Sequence, residues 1–218
     1  LHTEVFGQNL KSNFLEWLYI YFDANIGSRL YVLCNGVENM ADRFKVLNEK
    51  HIEFIKQQRI FFVGTAGAEG TVNVSPKGMD TLRVINEHKV VWLNLTGSGN
   101  ETSTHVQENG RMTVMFCSFA KQPLILRLYG KANVIHPRDS TWKELSSLFD
   151  EHVGARQFFQ LDLELVQTSC GHAVPFFEYR GERETLKKWA ESSRRADIED
   201  YWKEKNQISL DGKPTNIL

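Results

Sequence analysis

Cysteine is scarce in this 218-residue chain. The three present, Cys34, Cys117 and Cys170, lie far apart and form no CxxC pair, which argues against a zinc ribbon or a disulfide framework. A reducing, cytoplasmic setting is the expectation. Seven histidines show no HxH, HxxxH or HExxH spacing, so no metal site is expected. Neither sign of charge is in excess: 26 Lys and Arg stand against 27 Asp and Glu. A nucleic-acid binder would show a basic surplus, so no nucleic-acid partner is expected. Long apolar runs are missing too. Residues 14–22 are the longest near the start, Glu16 interrupts them, and they are too short to cross a bilayer. No basic segment precedes them and no small-residue cleavage site follows, so neither a membrane anchor nor a signal peptide is expected. The phosphate loop GxxxxGK[ST], the dinucleotide fingerprint GxGxxG in a parallel context and the nucleophile elbow GxSxG are all absent.

What is present is ample material for a core: 41% hydrophobic and 11% aromatic residues. Residues 1–39 read apart from the rest. They form either an appended arm before a start at Met40, or an amphipathic helix over 15–22 packed on the domain. The domain proper is expected over 40–218. Asn48 caps an amphipathic helix carrying His51, Ile52 and Ile55. Residues 59–66 read as a buried strand, 67–70 as a turn and 71–75 as the return strand, ended by Pro76. Further alternating strands are expected over 89–95, 112–119, 124–135 and 161–168. Helices are expected over 100–108, 139–152, 182–192 and 197–205. Short strands joined by hairpins, without a helix after each, predict a mainly β fold: an antiparallel barrel with helical additions rather than a doubly wound sheet.

Two stretches carry chemistry. Thr96-Gly97-Ser98-Gly99-Asn100-Glu101-Thr102 follows the strongest strand and opens a helix, so its free backbone N–H groups suit a phosphate. The bland reading is a tight turn capped by Asn100 or Thr102. Asn73 and Ser75 share one strand face, and Lys77 sits just beyond them. A lysine at a strand exit beside a hydroxyl can hold a phosphate as a point charge. The alternative is a solvated turn lysine. Cys170 and His172 are close in sequence, but that spacing alone sets no catalytic geometry.

Taken together, residues 59–66, Val72–Gly78, Val91–Thr102, Arg111–Thr113 and Arg127–Ala132 resemble the pyridoxamine 5′-phosphate oxidase-related FMN-binding split-barrel family. The segment from Val166 through Trp202 to Gly212 resembles one subgroup of it. The resemblance starts near Met40. It implies a six-stranded, Greek-key-like antiparallel split barrel with C-terminal helices, a homodimer, and FMN at the subunit interface. It places Lys77 on the phosphate, and Asn73, Val74 and Ser75 along the flavin edge or the phosphate. Trp92 and Asn94 fall on the neighbouring strand, with Gln167 as a further polar neighbour. Trp202 of the second subunit is expected as the flavin's outer wall. Asn100, Glu101 and Thr102 fall where the oxidases carry a Ser-Arg-Lys phosphate clamp, so the basic pair is replaced here. The oxidases' C-terminal Arg-x-His substrate element is also absent. The resemblance therefore implies an FMN-dependent oxidoreductase of unknown small substrate, with pyridoxine phosphate oxidation not expected. A non-catalytic flavin carrier or sensor, or a haem-binding split barrel using His136 or His172, are the alternatives.

Overall fold

The computed structural model describes residues 19–21, 31–33 and 41–218. The chain divides into two compact units, Leu1–Met40 and Ala41–Leu218. In the first, β1 (Tyr19–Tyr21) pairs antiparallel with β2 (Tyr31–Leu33). The helix expected over 15–22 is thus replaced at its centre by strand, and the rest of it lies outside the described residues.

The second unit holds β3 (Ala41–Phe44), α1 (Glu49–Gln57), β4 (Phe61–Thr65), β5 (Asn73–Lys77), β6 (Leu82–Asn86), β7 (Lys89–Leu95), α2 (Glu101–Asn109), β8 (Arg111–Cys117), β9 (Ile125–Ile135), α3 (Trp142–Ser146), β10 (Ala155–Ser169), α4 (Thr185–Ser192) and α5 (Arg195–Lys205). The six-stranded closed barrel is corrected. Eight antiparallel strands form one sheet in the order β5-β4-β8-β9-β10-β7-β6, with β3 added on β10, and no ladder joins β5 to β6. Long β10 carries β9 along one edge; β7 and then β3 share the other. The sheet curls nonetheless. Phe61 of β4 meets Trp92 of β7 with ring centroids 6.3 Å apart, although three strands separate β4 from β7 along the ladder.

Pro76 does not end β5 but lies inside it. An edge strand tolerates proline, because the missing N–H would have faced no partner. β6 and β3 were not expected, since neither carries a clear alternation. The helix expected over 139–152 shrinks to five residues, α3. Ser146 and Ser147 turn their hydroxyls back onto the carbonyls of Trp142 and Glu144, competing with continued helix. Asn48 does cap α1: its Oδ1 accepts from His51 N–H at 2.9 Å while His51 Nδ1 accepts from Asn48 N–H.

Strand alternation splits β7 between two cores. Val90 and Trp92 face the large interior cluster with Val63, Val114, Leu128, Phe159 and Leu161. Val91 and Leu93 face outward, where Leu145, Trp142, Phe149 and Phe158 cover them. Asn94 shares the face of Trp92, at the end of the sheet that α2 closes.

Candidate functional site

At that end the interior turns polar. Asn94 Nδ2 donates to Gln157 Oε1 at 3.2 Å, Gln157 Nε2 donates to Ser103 Oγ at 2.9 Å, and Ser103 donates to the Thr215 carbonyl. On β5, Ser75 donates to Asn73 Oδ1, and Asn73 Nδ2 reaches Thr102 Oγ1 at 3.1 Å. Thr65 bridges Asn73 to His105 Nδ1, 3.1 Å from its hydroxyl. Helix α2 therefore joins Asn73 and Ser75 of β5 through its Thr102, and Asn94 of β7 through Gln157 and its Ser103.

Lys77 lies on the same face of β5 as Asn73 and Ser75, by the two-residue period of a strand. Its Nζ stands 5.0 Å from the centroid of the Trp92 ring, a cation–π contact. Trp92 is also stacked against Phe159, with ring centroids 4.8 Å apart. Burial, and after it the positive charge of Arg156, pushes the Lys77 ammonium down to about 8. Among the described residues no carboxylate pairs with it.

Arg156 escaped the sequence reading. It is 3% exposed, and it occupies a bulge in β10, between the pairs Ala155↔Leu95 and Gln157↔Asn94. A bulge re-aims a side chain that strict alternation would send elsewhere. The guanidinium reaches the carbonyls of Gly97 (3.3 Å) and Gly99 (3.0 Å) and Asn206 Oδ1 (2.9 Å). Its Nε has no partner, and burial lowers its pKa to about 10, so it stays charged at neutral pH. Asn206 Nδ2 donates to the carbonyls of Gly97 and Ser98. With these carbonyls drawn towards Arg156 and Asn206, the following N–H groups of Ser98, Gly99 and Asn100 are turned the opposite way, because the two ends of a trans peptide oppose each other.

Asn100 does not cap α2: its side chain makes no cap bond, and both its Nδ2 and Oδ1 are buried without a partner. Buried amides are almost always satisfied, so two orphan atoms on one side chain call for an explanation. Glu101 is occupied elsewhere, accepting from Leu210 N–H at 2.8 Å.

The sequence profile of the pyridoxamine 5′-phosphate oxidase family matches residues 47–170, more than half of the chain. A pyridoxamine 5′-phosphate oxidase family protein of Aspergillus flavus, ustO, is 36% identical over 189 residues, spanning 78% of this chain and 76% of its own. The chain belongs to the pyridoxamine 5′-phosphate oxidase family. It is thereby a member of the FMN-binding split-barrel superfamily. Among solved structures, a putative pyridoxamine 5′-phosphate oxidase from Lactobacillus delbrueckii superposes with a TM-score of 0.47 at 20% identity, covering 56% of this chain and 94% of that one. HupZ of Group A Streptococcus superposes with a TM-score of 0.44 at 16% identity, covering 55% and 91%.

Not every expected residue joins the group. Val74 points to solvent. Gln167 accepts from Tyr129 Oη at 3.1 Å, ten residues along β10 from Gln157, roughly 30 Å in extended chain. Trp202, expected as a wall offered by a second subunit, is buried in its own chain with Ile198 and Ile217, and its Nε1–H donates to Thr96 Oγ1 at 2.9 Å. Of the two histidines considered for haem, His136 is buried, with burial pushing its pKa down to about 4, and His172 is exposed. The only sequence signal for Arg156 was a basic residue flanked by Ala155 and Gln157 at the start of an apolar strand, and nothing in that pattern reveals a bulge.

Proposed function

We propose that this protein binds flavin mononucleotide and works as an FMN-dependent oxidoreductase on a small molecule. The observation that carries the reading is the half-buried Lys77 ammonium, on the face of β5 shared with Asn73 and Ser75 and without a carboxylate partner among the described residues, together with the doubly unpartnered Asn100 amide. Burying a charge is costly unless something pairs with it. A phosphate fits that donor set, and family membership makes FMN the phosphate-bearing group of choice. When bound, FMN supplies hydride or electron transfer.

The chain's own residues bind and orient. Lys77, Asn100 and the N–H groups of the 98–100 turn would hold the phosphate, with the Thr102 and Ser75 hydroxyls beside them. Asn73 and Asn94 would set the polar edge. The C-terminal lysines that could form a second phosphate site for pyridoxine phosphate are already engaged. Lys205 pairs with Glu204 at 2.6 Å, Lys203 with Asp200 at 2.8 Å, and Asp211 binds the backbone and hydroxyl of Thr71. FMN rather than FAD is favoured, because no dinucleotide-binding segment exists to hold an adenylate. A homodimer is part of the proposal. The edge strand β5 shows Val74 to solvent, and Val72, Phe176, Phe177 and Tyr179 are exposed as well, surface that a two-fold partner would cover.

Absorbance of the purified protein tests the reading. Bands at roughly 375 and 450 nm support it, while a Soret band or no band at all overturns it. Bleaching of those bands by NADH or NADPH, followed by reoxidation with a small acceptor, marks an enzyme. Flavin that never changes redox state under any donor marks a carrier.

A further inference from the structure

The sheet interior opens a second time, at the other end of β4. Thr65 ends that strand and bonds to His105 of α2. Phe61 begins it, roughly 13 Å away, and faces a cavity of about 440 Å3. We infer that this cavity is a ligand site of its own, which takes a small monocarboxylic acid with an apolar body. The inference stands apart from the FMN reading and uses none of the residues assigned to the flavin.

The topology makes the cavity. Only residues 78–81 join β5 to β6, yet β5 pairs with β4, β6 pairs with β7, and no ladder connects the two. Their edges therefore part, and α1 bridges the gap. The approach to α1 is tied beyond the far end of β6, where Leu47 N–H donates to the Glu87 carbonyl at 2.9 Å. Its other end runs into β4. Buried Ile55, Phe61 and Phe116 form the floor of the space so enclosed, and Ile52, Leu82 and Val84 stay only half-buried around it. Small-molecule sites span roughly 300–1,000 Å3 and are mostly apolar, so both the size and the surface suit an apolar ligand body.

The rim sets the charge. Most of its polar groups are committed. The Arg83 guanidinium forks onto Asp80 and reaches the Leu148 carbonyl, the Thr81 hydroxyl donates to the Gly78 carbonyl, and Gln58 Nε2 donates to the Phe54 carbonyl. Lys56 and Arg59 are not committed: among the described residues neither has a carboxylate partner. The Arg59 guanidinium is placed over the Tyr179 ring, 5.5 Å from its centroid. Stacking of that kind orients the fork and leaves its N–H groups for a planar carboxylate. Glu182 is the one acid of the rim outside an ion pair, and it accepts from Tyr179 Oη at 3.0 Å. Two free cations against one carboxylate leave the rim net positive above an apolar floor. A carboxylate on an apolar body is the complement of both.

The test uses 2-naphthoate, read by the anisotropy of its own fluorescence, and the uncharged 2-naphthamide. Wild type is expected to bind naphthoate with a Kd below about 1 mM, and to prefer it to the amide roughly 3- to 10-fold, the worth of a partly exposed charge-assisted contact. Lys56→Gln combined with Arg59→Gln, both at the surface, should abolish that preference and leave the amide unaffected. Val84→Phe, which fills the cavity from β6, should weaken both probes roughly 10-fold or more, because such sites enclose most of their ligand. Excess FMN should release neither. Naphthoate that fails to bind in the millimolar range overturns the inference, as does equal affinity for the two probes in wild type. So does a preference that survives the double substitution, or binding indifferent to Val84→Phe. Release by FMN would put the probe in the flavin site, which overturns the separate cavity and leaves the FMN reading standing. Should Val84→Phe not fold by circular dichroism, Ile52→Phe fills the cavity from α1 and is read the same way.

Discussion

Trp92 and Asn94 stand two residues apart on the same face of β7, in opposite surroundings. Apart from the Lys77 ammonium, 5.0 Å from its ring centroid, the contacts around Trp92 are rings and aliphatic side chains: Phe159 stacked at 4.8 Å, Phe61 edge-on at 6.3 Å, then Val63, Val114 and Leu161. From Asn94 runs a chain of hydrogen bonds, to Gln157, then Ser103, then the Thr215 carbonyl. The apolar half gains from area, which is non-directional and tolerates small shifts. The polar half gains little net stability from each bond, and loses heavily for each one left open. Yet Asn100 and Arg156 are left open. The contrast says where the fold is stabilised and where something else is accommodated.

The largest effect should come from breaking the apolar side. Phe159→Ala removes the ring stacked on Trp92 and opens a cavity, which typically costs about 3–5 kcal/mol. Urea denaturation of the apo-protein reads it directly. A loss below about 1 kcal/mol, the typical effect of any point substitution, would mean that the interior is not packed as described.

Next in size is the polar side. Lys77→Met should weaken FMN binding by about 1.5–3 kcal/mol, the worth of a hydrogen bond to a charged group. The same change should leave the apo-protein as stable or more so, because a half-buried charge without a carboxylate partner among the described residues is replaced by a side chain of similar shape. Unchanged FMN affinity would take Lys77 out of the phosphate site.

The pH dependence sharpens the same point. The folded-state pKa of Lys77 is pushed down from 10.5 to about 8, first by burial. Between those values the unfolded chain binds more protons than the folded one, so the lysine's contribution to stability rises with pH. Its penalty is present in full below about 8 and is relieved as pH approaches 10.5. The stability advantage of Lys77→Met over wild type should therefore shrink across that window, followed by apo-protein unfolding at several pH values. A constant difference would show an ordinary, solvated ammonium.

Smallest of all should be Asn100→Ala in the apo-protein. A bonding N-cap is worth about 0.5–2 kcal/mol, but the Asn100 side chain bonds to nothing, so thermal unfolding should move little or even upward. FMN affinity should fall all the same. A marked loss of apo stability would restore Asn100 as a helix cap.

Much of this molecule was legible in the chain. The Asn48 cap, the strand and helix around the 96–102 turn, and the shared face of Asn73 and Ser75 all follow from short-range chemistry: a side chain bonding its own backbone three residues on, or a period of two. The family resemblance drew on the same local strings. The exceptions are also physical. Pro76 reads as a strand end until one knows that β5 is an edge. The serines of α3 read as helix-compatible until their hydroxyls turn back onto carbonyls.

Tertiary structure decided the rest. Whether the sheet closes depends on two edges far apart in the ladder, which no local pattern encodes. Trp202 went to its own chain's Thr96, 106 residues away, rather than outward. Arg156 became part of the site only through a bulge that breaks the alternation around it. Which residues alternate is a property of neighbours along the chain. Which buried charge finds no partner is a property of neighbours in space, set by how β10, α2 and α5 pack. For that reason the residues around Lys77 and Asn94 could be nominated from the sequence, whereas the buried guanidinium of Arg156 came into view only once the strands were paired.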